Sequence, residues 1–455
     1  MLFFFAEPIL LAASAISGIG FVSKSTALLL VGTIVWMIWL GLMLKIAVPT
    51  TDLRLSKHTG WLKRGAFTIF TGLLIFGLFE LVALPTIDLW LHPANGQDNA
   101  LTQSLASFEQ GFAYNDATAL CHQAAENLIH GENPYAHSNI VSATLQFGGS
   151  LDRLTTLREG KLAETFPYPE PQQLEQLWSE AIKYPEQIPP EFQSKLCYPA
   201  GCFLIPIPFL LIGVGDLRVI YLILVLGALA YVMRFIPGKM KLIFAAAALI
   251  SLELWNSIAN GENGVLIFPL LLIAWALPKR QLWVSAVVMG LAIATKQTAW
   301  FYLPFYLILL LREMGLKKVI IVMAIISGVF LTVNAPFIVA EPKLWFTSVM
   351  ATMMGNMFPS GVGIVTLVTG GILNIQSSLV FGALEIAVFI LVIICYFRYY
   401  HHCPQAGPIL ATLPLFFAWR SQCCYFFYAG LIMLAGIMIN EYVAEEPQTA
   451  NLAVA

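Results

Sequence analysis

The sequence predicts an all-α fold, a polytopic integral membrane helical bundle of about 11–13 transmembrane helices with one long extracytoplasmic loop. Three observations carry that expectation. The chain is 58% hydrophobic and only 11% charged, too few charges to clothe a water-soluble body of 455 residues. Apolar runs approaching the length needed to cross hydrocarbon recur along most of the chain. Between them the basic residues fall in short clusters, as cytoplasmic turns do. A net charge of -2 and the lack of a basic stripe argue against nucleic-acid binding.

Taken in order, the runs lie at residues 2–22, 26–48, 65–87, 217–236, 241–258, 264–278, 282–296, 298–311, 319–338, 378–397, 406–419 and 423–440. Helices are the expected form, because every backbone donor must be satisfied inside lipid. The first run lacks a basic leader and reads as an uncleaved helix rather than a signal peptide. The clusters Arg54, Lys57, Lys63 and Arg64, then Arg234, Lys239 and Lys241, then Lys279 and Arg280, then Arg312, Lys317 and Lys318, and finally Arg398, are the expected cytoplasmic turns. Residues 198–214 are apolar but broken by Pro199, Pro206 and Pro208, which suits a re-entrant or membrane-surface segment better than a span. The stretch 364–376 is open in the same way. The resulting organisation is N-terminal transmembrane helices over 1–87, an extracytoplasmic loop with surface helices over 88–197, a transmembrane bundle over 198–441 and a cytoplasmic tail over 442–455.

The loop is where the acid gathers. From Asp88 to Lys195 there are 14 acidic and 5 basic residues, more than half of the 26 acidic residues of the chain. Most of these carboxylates stand among prolines and read as a solvated surface. Asp116 differs, because Ala117, Leu120, Ala124 and Leu128 repeat at helical spacing behind it and Gly131 closes the pattern. Asp116 is then either a helix N-cap or a general base held at the membrane surface. Cys121 and Cys197 both fall on or near this loop, where a disulfide is an open alternative.

Further motifs follow in a fixed order. About fifteen residues after Asp116 stands Gly131-Glu132-Asn133-Pro134-Tyr135, and later Tyr198-Pro199 opens a proline-rich apolar run. Asn260-Gly261-Glu262-Asn263 precedes a hydrophobic helix, Ala294-Thr295-Lys296-Gln297 ends a span, and Asn334-Ala335-Pro336-Phe337 and Trp419-Arg420-Ser421-Gln422 come after. This ordered set, from about residue 110 to 430, resembles the polyprenyl-phosphate-sugar-dependent glycosyltransferases of the GT-C superfamily, closest to glycosyltransferase family 87. Glu262 stands where the family carries Gln, and the two N-terminal helices have no counterpart in the superfamily's usual order.

The resemblance implies an inverting hexosyltransferase, with mannose a candidate sugar, moving the sugar from a polyprenyl-phosphate donor to a glycan or lipid acceptor. No metal and no cofactor is implied, since phosphate is already a good leaving group. Asp116 is the expected base, with Asp88 as rival because other GT-C enzymes keep their acid at the end of the first span. Lys296 and Arg420 would meet the donor phosphate, since a cation interrupting an apolar run is costly unless paired or used; pairing of Lys296 with Glu262 is the competing account. Asn133, Tyr135, Tyr198, Glu262 and Asn263 are the expected substrate-binding residues. Tyr135, Tyr198 and Trp419 suit either sugar stacking or interfacial anchoring. His401, His402 and Cys403 read as an interface cluster rather than metal ligands, and Glu7, Glu80, Glu253 and Glu385 lie in or beside apolar runs without a ranked role. The expected location is a cell inner or plasma membrane, or an ER-like membrane, with the active site on the extracytoplasmic face. A secondary transporter or lipid flippase, or a non-catalytic accessory subunit with the same fold, are the rival functions.

Overall fold

The computed structural model describes residues 1–48, 59–79, 114–149, 151, 154–184 and 187–440. The chain begins with a helical hairpin, α1 (Leu2–Val22) and α2 (Thr26–Ile46), in which the Ser25 side chain caps α2. Helix α3 (Thr59–Leu78) packs beside α1, with Trp61 stacked on Phe5. Six described helices are long and apolar enough to cross a membrane: these three, Leu316–Ala340, the run Ser378–His402 and the run Cys423–Asn440. The rest of the expected 11 to 13 spans rests on a bent pair and on shorter apolar helices.

The bent pair corrects one expectation. Residues 241–258 read as a single span, but the chain forms α8 (Gly238–Ile250) and α9 (Leu252–Ala259), turned 52° apart at Ser251. The break survives in lipid because side chains take up the freed carbonyls: Ser251 donates to Ala247 O at 3.0 Å and the Trp255 indole to Ala248 O at 2.9 Å. Glu7 and Glu253 line a small cavity beside this break. Glu80 and Asp88 lie outside the described residues.

The remaining bundle consists of α7 (Leu217–Met233), α10 (Gly264–Ala276), α11 (Leu282–Ile293), α12 (Tyr302–Met314), α13 (Leu316–Ala340), α15 (Ser378–Tyr399), α16 (Gly407–Thr412) and α17 (Phe427–Asn440). Helices α10 and α17 are buried on all sides and form its centre. Contacts at the helix ends sort the bundle into two ends. At one, Lys279 pairs with Glu313 at 2.7 Å, Tyr400 donates to Glu313, Arg312 donates to Phe397 O and Tyr231 bonds Gln281. Arg234, Lys318, Arg398 and the His401–His402 pair belong to this basic end.

At the opposite end lies a layer of surface elements: α4 (Asp116–Ile129), α5 (Ile140–Phe147), α6 (Pro171–Lys183) and α14 (Pro342–Val349). Helices α5 and α6 share a small separate core around Ile140, Leu162, Leu177, Phe192 and Phe358, while α4 and α14 pack onto the main core. The N-terminal hairpin reaches up to this layer. Lys24 in its turn pairs with Glu170, Phe21 packs edge-on against Tyr168, Thr26 donates to Gly370 O, and Thr33 bonds Thr366. Residues 198–214 break into two one-turn helices, Gly201–Leu204 and Ile207–Leu211, as their prolines require. The stretch 364–376 likewise supplies only one turn, Thr366–Thr369. All seven cysteines are free thiols, so Cys121 and Cys197 are not bridged.

Candidate active site

The cap of α4 is Asn115, whose side chain accepts from Thr118 N; Asp116 is the first residue inside the helix. Its carboxylate is held from two directions. Oδ1 accepts from the Ala117 amide and Oδ2 from the Thr155 amide, both at 2.7 Å. Each oxygen retains a second lone pair for an incoming hydroxyl. The amphipathic pattern therefore located the helix, while the capping role fell to the neighbouring residue.

Lys296 follows α11 and is 5% exposed. Its ammonium lies over the rings of Tyr198 at 5.2 Å and Tyr425 at 5.8 Å. A methyl added to Gly264, the first residue of α10, would stand 3.6 Å from Nζ, so the lysine abuts a helix N-terminus. Among the described residues no recorded ion pair includes it, and Glu262 and Lys296 both lie within electrostatic reach of Cys424. A buried cation beside a helix N-terminus, walled by two aromatic faces, concentrates positive potential in the setting that favours an anion.

Neighbouring segments fix this lysine. Gly201 N donates to Ala294 O at 2.8 Å, and a side chain on Gly201 would collide with Ala294 O and with the Thr295 hydroxyl. Gln297 donates to Cys197 O and Val349 O, and buried Asn334 accepts from Ala200 N at 2.9 Å. These bonds explain the Ala-Thr-Lys-Gln and Asn-x-Pro-Phe stretches as clamps on residues 197–201. Tyr135 is 1% exposed and donates to Tyr198 O at 2.9 Å, so it supports Tyr198 from beneath. Asn133 caps the turn before Tyr135 and donates to Glu341 at the exposed rim.

Arg420 lies on β2 (Arg420–Ser421), paired in parallel with β1 (Ser360–Gly361). Its guanidinium donates to the Thr155 hydroxyl at 3.2 Å, and among the described residues it carries no ion pair. Trp419 is 9% exposed, donates to Met357 O and packs edge-on against Phe381, which makes it part of the wall. Glu262 and Asn263 form the turn into α10; Asn263 is buried, with its amide donating to Cys121 Sγ at 3.0 Å. Asp116 and Lys296 both act on Cys197: burial pushes its thiol up to about 12, Asp116 adding to the rise and Lys296 opposing it. Arg420 and Glu262 both lie within electrostatic reach of Tyr425. Asp116, Lys296, Arg420 and Glu262 thus surround one region at the loop-bearing end. Thr155 and Tyr425, which link them, carried no motif in the sequence. Among the described residues no three His, Cys, Asp or Glu side chains gather closely enough to hold a metal ion.

The sequence profile of glycosyltransferase family 87 matches residues 196–439, more than half of the chain. The chain belongs to glycosyltransferase family 87. Neither a curated protein nor a solved structure matches it. This family 87 protein is therefore an integral-membrane glycosyltransferase, with a sugar donor and an acceptor as substrates. Its matched region includes Lys296, Arg420, Tyr198, Glu262 and Asn263, whereas Asp116, Asn133 and Tyr135 lie before it.

Proposed function

We propose that this enzyme transfers a hexose, with mannose a candidate, from a polyprenyl-phosphate carrier to a glycan or lipid acceptor on the extracytoplasmic face. Asp116 removes the proton of the acceptor hydroxyl. The oxygen attacks the anomeric carbon from the side opposite the phosphate, the carbon–phosphate-oxygen bond breaks, and the phosphate departs on its lipid with inversion at carbon. Lys296 and Arg420 meet the charge that builds on that phosphate. The basic end faces the cytoplasm by the positive-inside rule, which leaves the loop-bearing end outside.

The observation that carries this reading is Lys296, a cation 5% exposed and without an ion-pair partner among the described residues. Leaving such a charge buried is costly unless an anion arrives to meet it. The test is binding of a radiolabelled polyprenyl-phosphate hexose to the purified enzyme in detergent, followed by turnover in the same preparation. Lys296→Met should weaken donor binding at least tenfold; unchanged binding overturns the assignment. Binding without turnover in the parent protein would instead favour an accessory subunit, and ion-coupled uptake in vesicles would favour a transporter.

A further inference from the structure

Tyr114 stands two residues before Asp116 and is 5% exposed. Its backbone forms a parallel bridge with Gly149. Its hydroxyl accepts from Leu217 N at 2.7 Å and donates to Asp216 Oδ1 at 3.0 Å, so one side chain touches both the cap and the first turn of α7. Asp216 is in turn gripped by Arg218, whose guanidinium donates to both carboxylate oxygens and lies 5.3 Å from the Tyr114 ring centre. Gly261 also lies against this ring. That residue has φ +60, and a Cβ on it would come within 3.1 Å of Tyr114 Cδ1 and 3.6 Å of Arg218 Cγ. Directly after Gly261 come Glu262 and Asn263.

Two segments of the site therefore meet on a single ring, and α7 anchors that ring. We propose that Tyr114 is a positioning residue for transfer: through Asp216 and Arg218 it sets the spacing between Asp116 and the turn that carries Glu262 and Asn263. The proposal rests on Asp116 acting as the base. Tyr114 itself touches no reacting atom. Its hydroxyl holds α4 and α7 in register, and its ring gives residues 260–263 a surface to lie on. Loss of the hydroxyl frees the Leu217 amide and one lone pair of Asp216 while keeping the ring, so the change is felt as misplacement rather than collapse.

The experiment uses the full-length enzyme in proteoliposomes. The probes are the radiolabelled polyprenyl-phosphate hexose and the octyl glycoside that give the parent enzyme its highest turnover. Tyr114→Phe should lower kcat about tenfold while the donor KM stays within twofold. Asp216→Asn should do the same, and the double variant should lose no more than the worse single, because both act through one contact. Three results overturn the proposal: kcat within twofold of the parent in Tyr114→Phe, a parallel rise in donor KM, or losses that multiply in the double variant. Asp116→Asn run alongside separates the two ideas. If it retains transfer, the reading of the site falls and this proposal with it; if it is inactive while Tyr114→Phe matches the parent, only the positioning role falls.

Discussion

Asp116 and Arg420 are joined through Thr155: the threonine amide donates to the Asp116 carboxylate at 2.7 Å, and its hydroxyl receives the Arg420 guanidinium at 3.2 Å. A carboxylate and a cation that share one small residue are held a few atoms apart without neutralising each other, the separation that proton removal on one side and phosphate departure on the other require. Asp116→Asn keeps the size of the side chain and one acceptor oxygen. It should leave expression and membrane insertion intact and reduce transfer at least about a hundredfold, the range a positioned base supplies. Sugar transfer above a tenth of the parent rate sinks the role.

Thr155→Val distinguishes the two bonds. It retains the amide that holds Asp116 and removes the hydroxyl that receives Arg420, so transfer should fall only a few-fold, chiefly through donor KM. Arg420→Lys should raise donor KM about tenfold, because a point charge does not reproduce the planar fork. Equal kinetics for Arg420→Lys and the parent would take Arg420 out of the phosphate contact.

Gly201 is predicted to be intolerant of any side chain. A methyl there would stand 2.7 Å from Ala294 O, and relieving that overlap means moving residues 198–201 off the end of α11. Gly201→Ala should cost about 1–3 kcal/mol, read as a lower melting temperature in detergent, and should loosen Tyr198 from Lys296. A melting temperature equal to that of the parent would show that the two segments are not tightly joined.

His122 gives a pH dependence of stability. Burial against Phe147 lowers its imidazole to about 4, with Asp216 pulling weakly the other way. The folded state therefore holds the neutral ring, while the unfolded chain takes up a proton near pH 6.5. Because the folded value is depressed, the contribution is complete above about pH 6.5 and is lost as pH falls toward about 4. The loss is on the order of 3 kcal/mol. Melting temperatures across this window should drop in the parent and drop less in His122→Phe; identical slopes would refute it.

Much of this architecture was readable from the chain. Apolar runs gave the helices, and the basic clusters gave the end of the bundle where Lys279, Arg312 and Arg398 gather, because lipid punishes exposed backbone and charge so heavily that few alternatives survive. The helix behind Asp116 followed from Ala117, Leu120, Ala124 and Leu128. What escaped was decided by side-chain bonds that no spacing announces, some local and some distant in sequence. Ser251 breaks a continuous apolar run only because its own hydroxyl and the Trp255 indole take up the freed carbonyls. Tyr135 reads as a sugar platform until the Tyr198 carbonyl is found above its hydroxyl. Tyr114 and Thr155 have no spacing to single them out, since their roles are set by Asp216 and Arg420, more than a hundred residues away.

The two helices that flank Lys296 are short. Gly264–Ala276 has 13 residues and Leu282–Ile293 has 12, which at the α-helical rise makes about 20 and 18 Å against a hydrocarbon layer about 30 Å thick. Lys279 and Arg280, in the turn between them, pin their far ends at the interface, so the whole shortfall opens at the end where Lys296 stands. Lys296 comes three residues after the shorter helix and abuts the first residue of the other, so it stands where both helices stop short of a full span. On the proposed reading, a phosphate held there keeps its lipid chain beside the bundle while the acceptor arrives from the loop-bearing side.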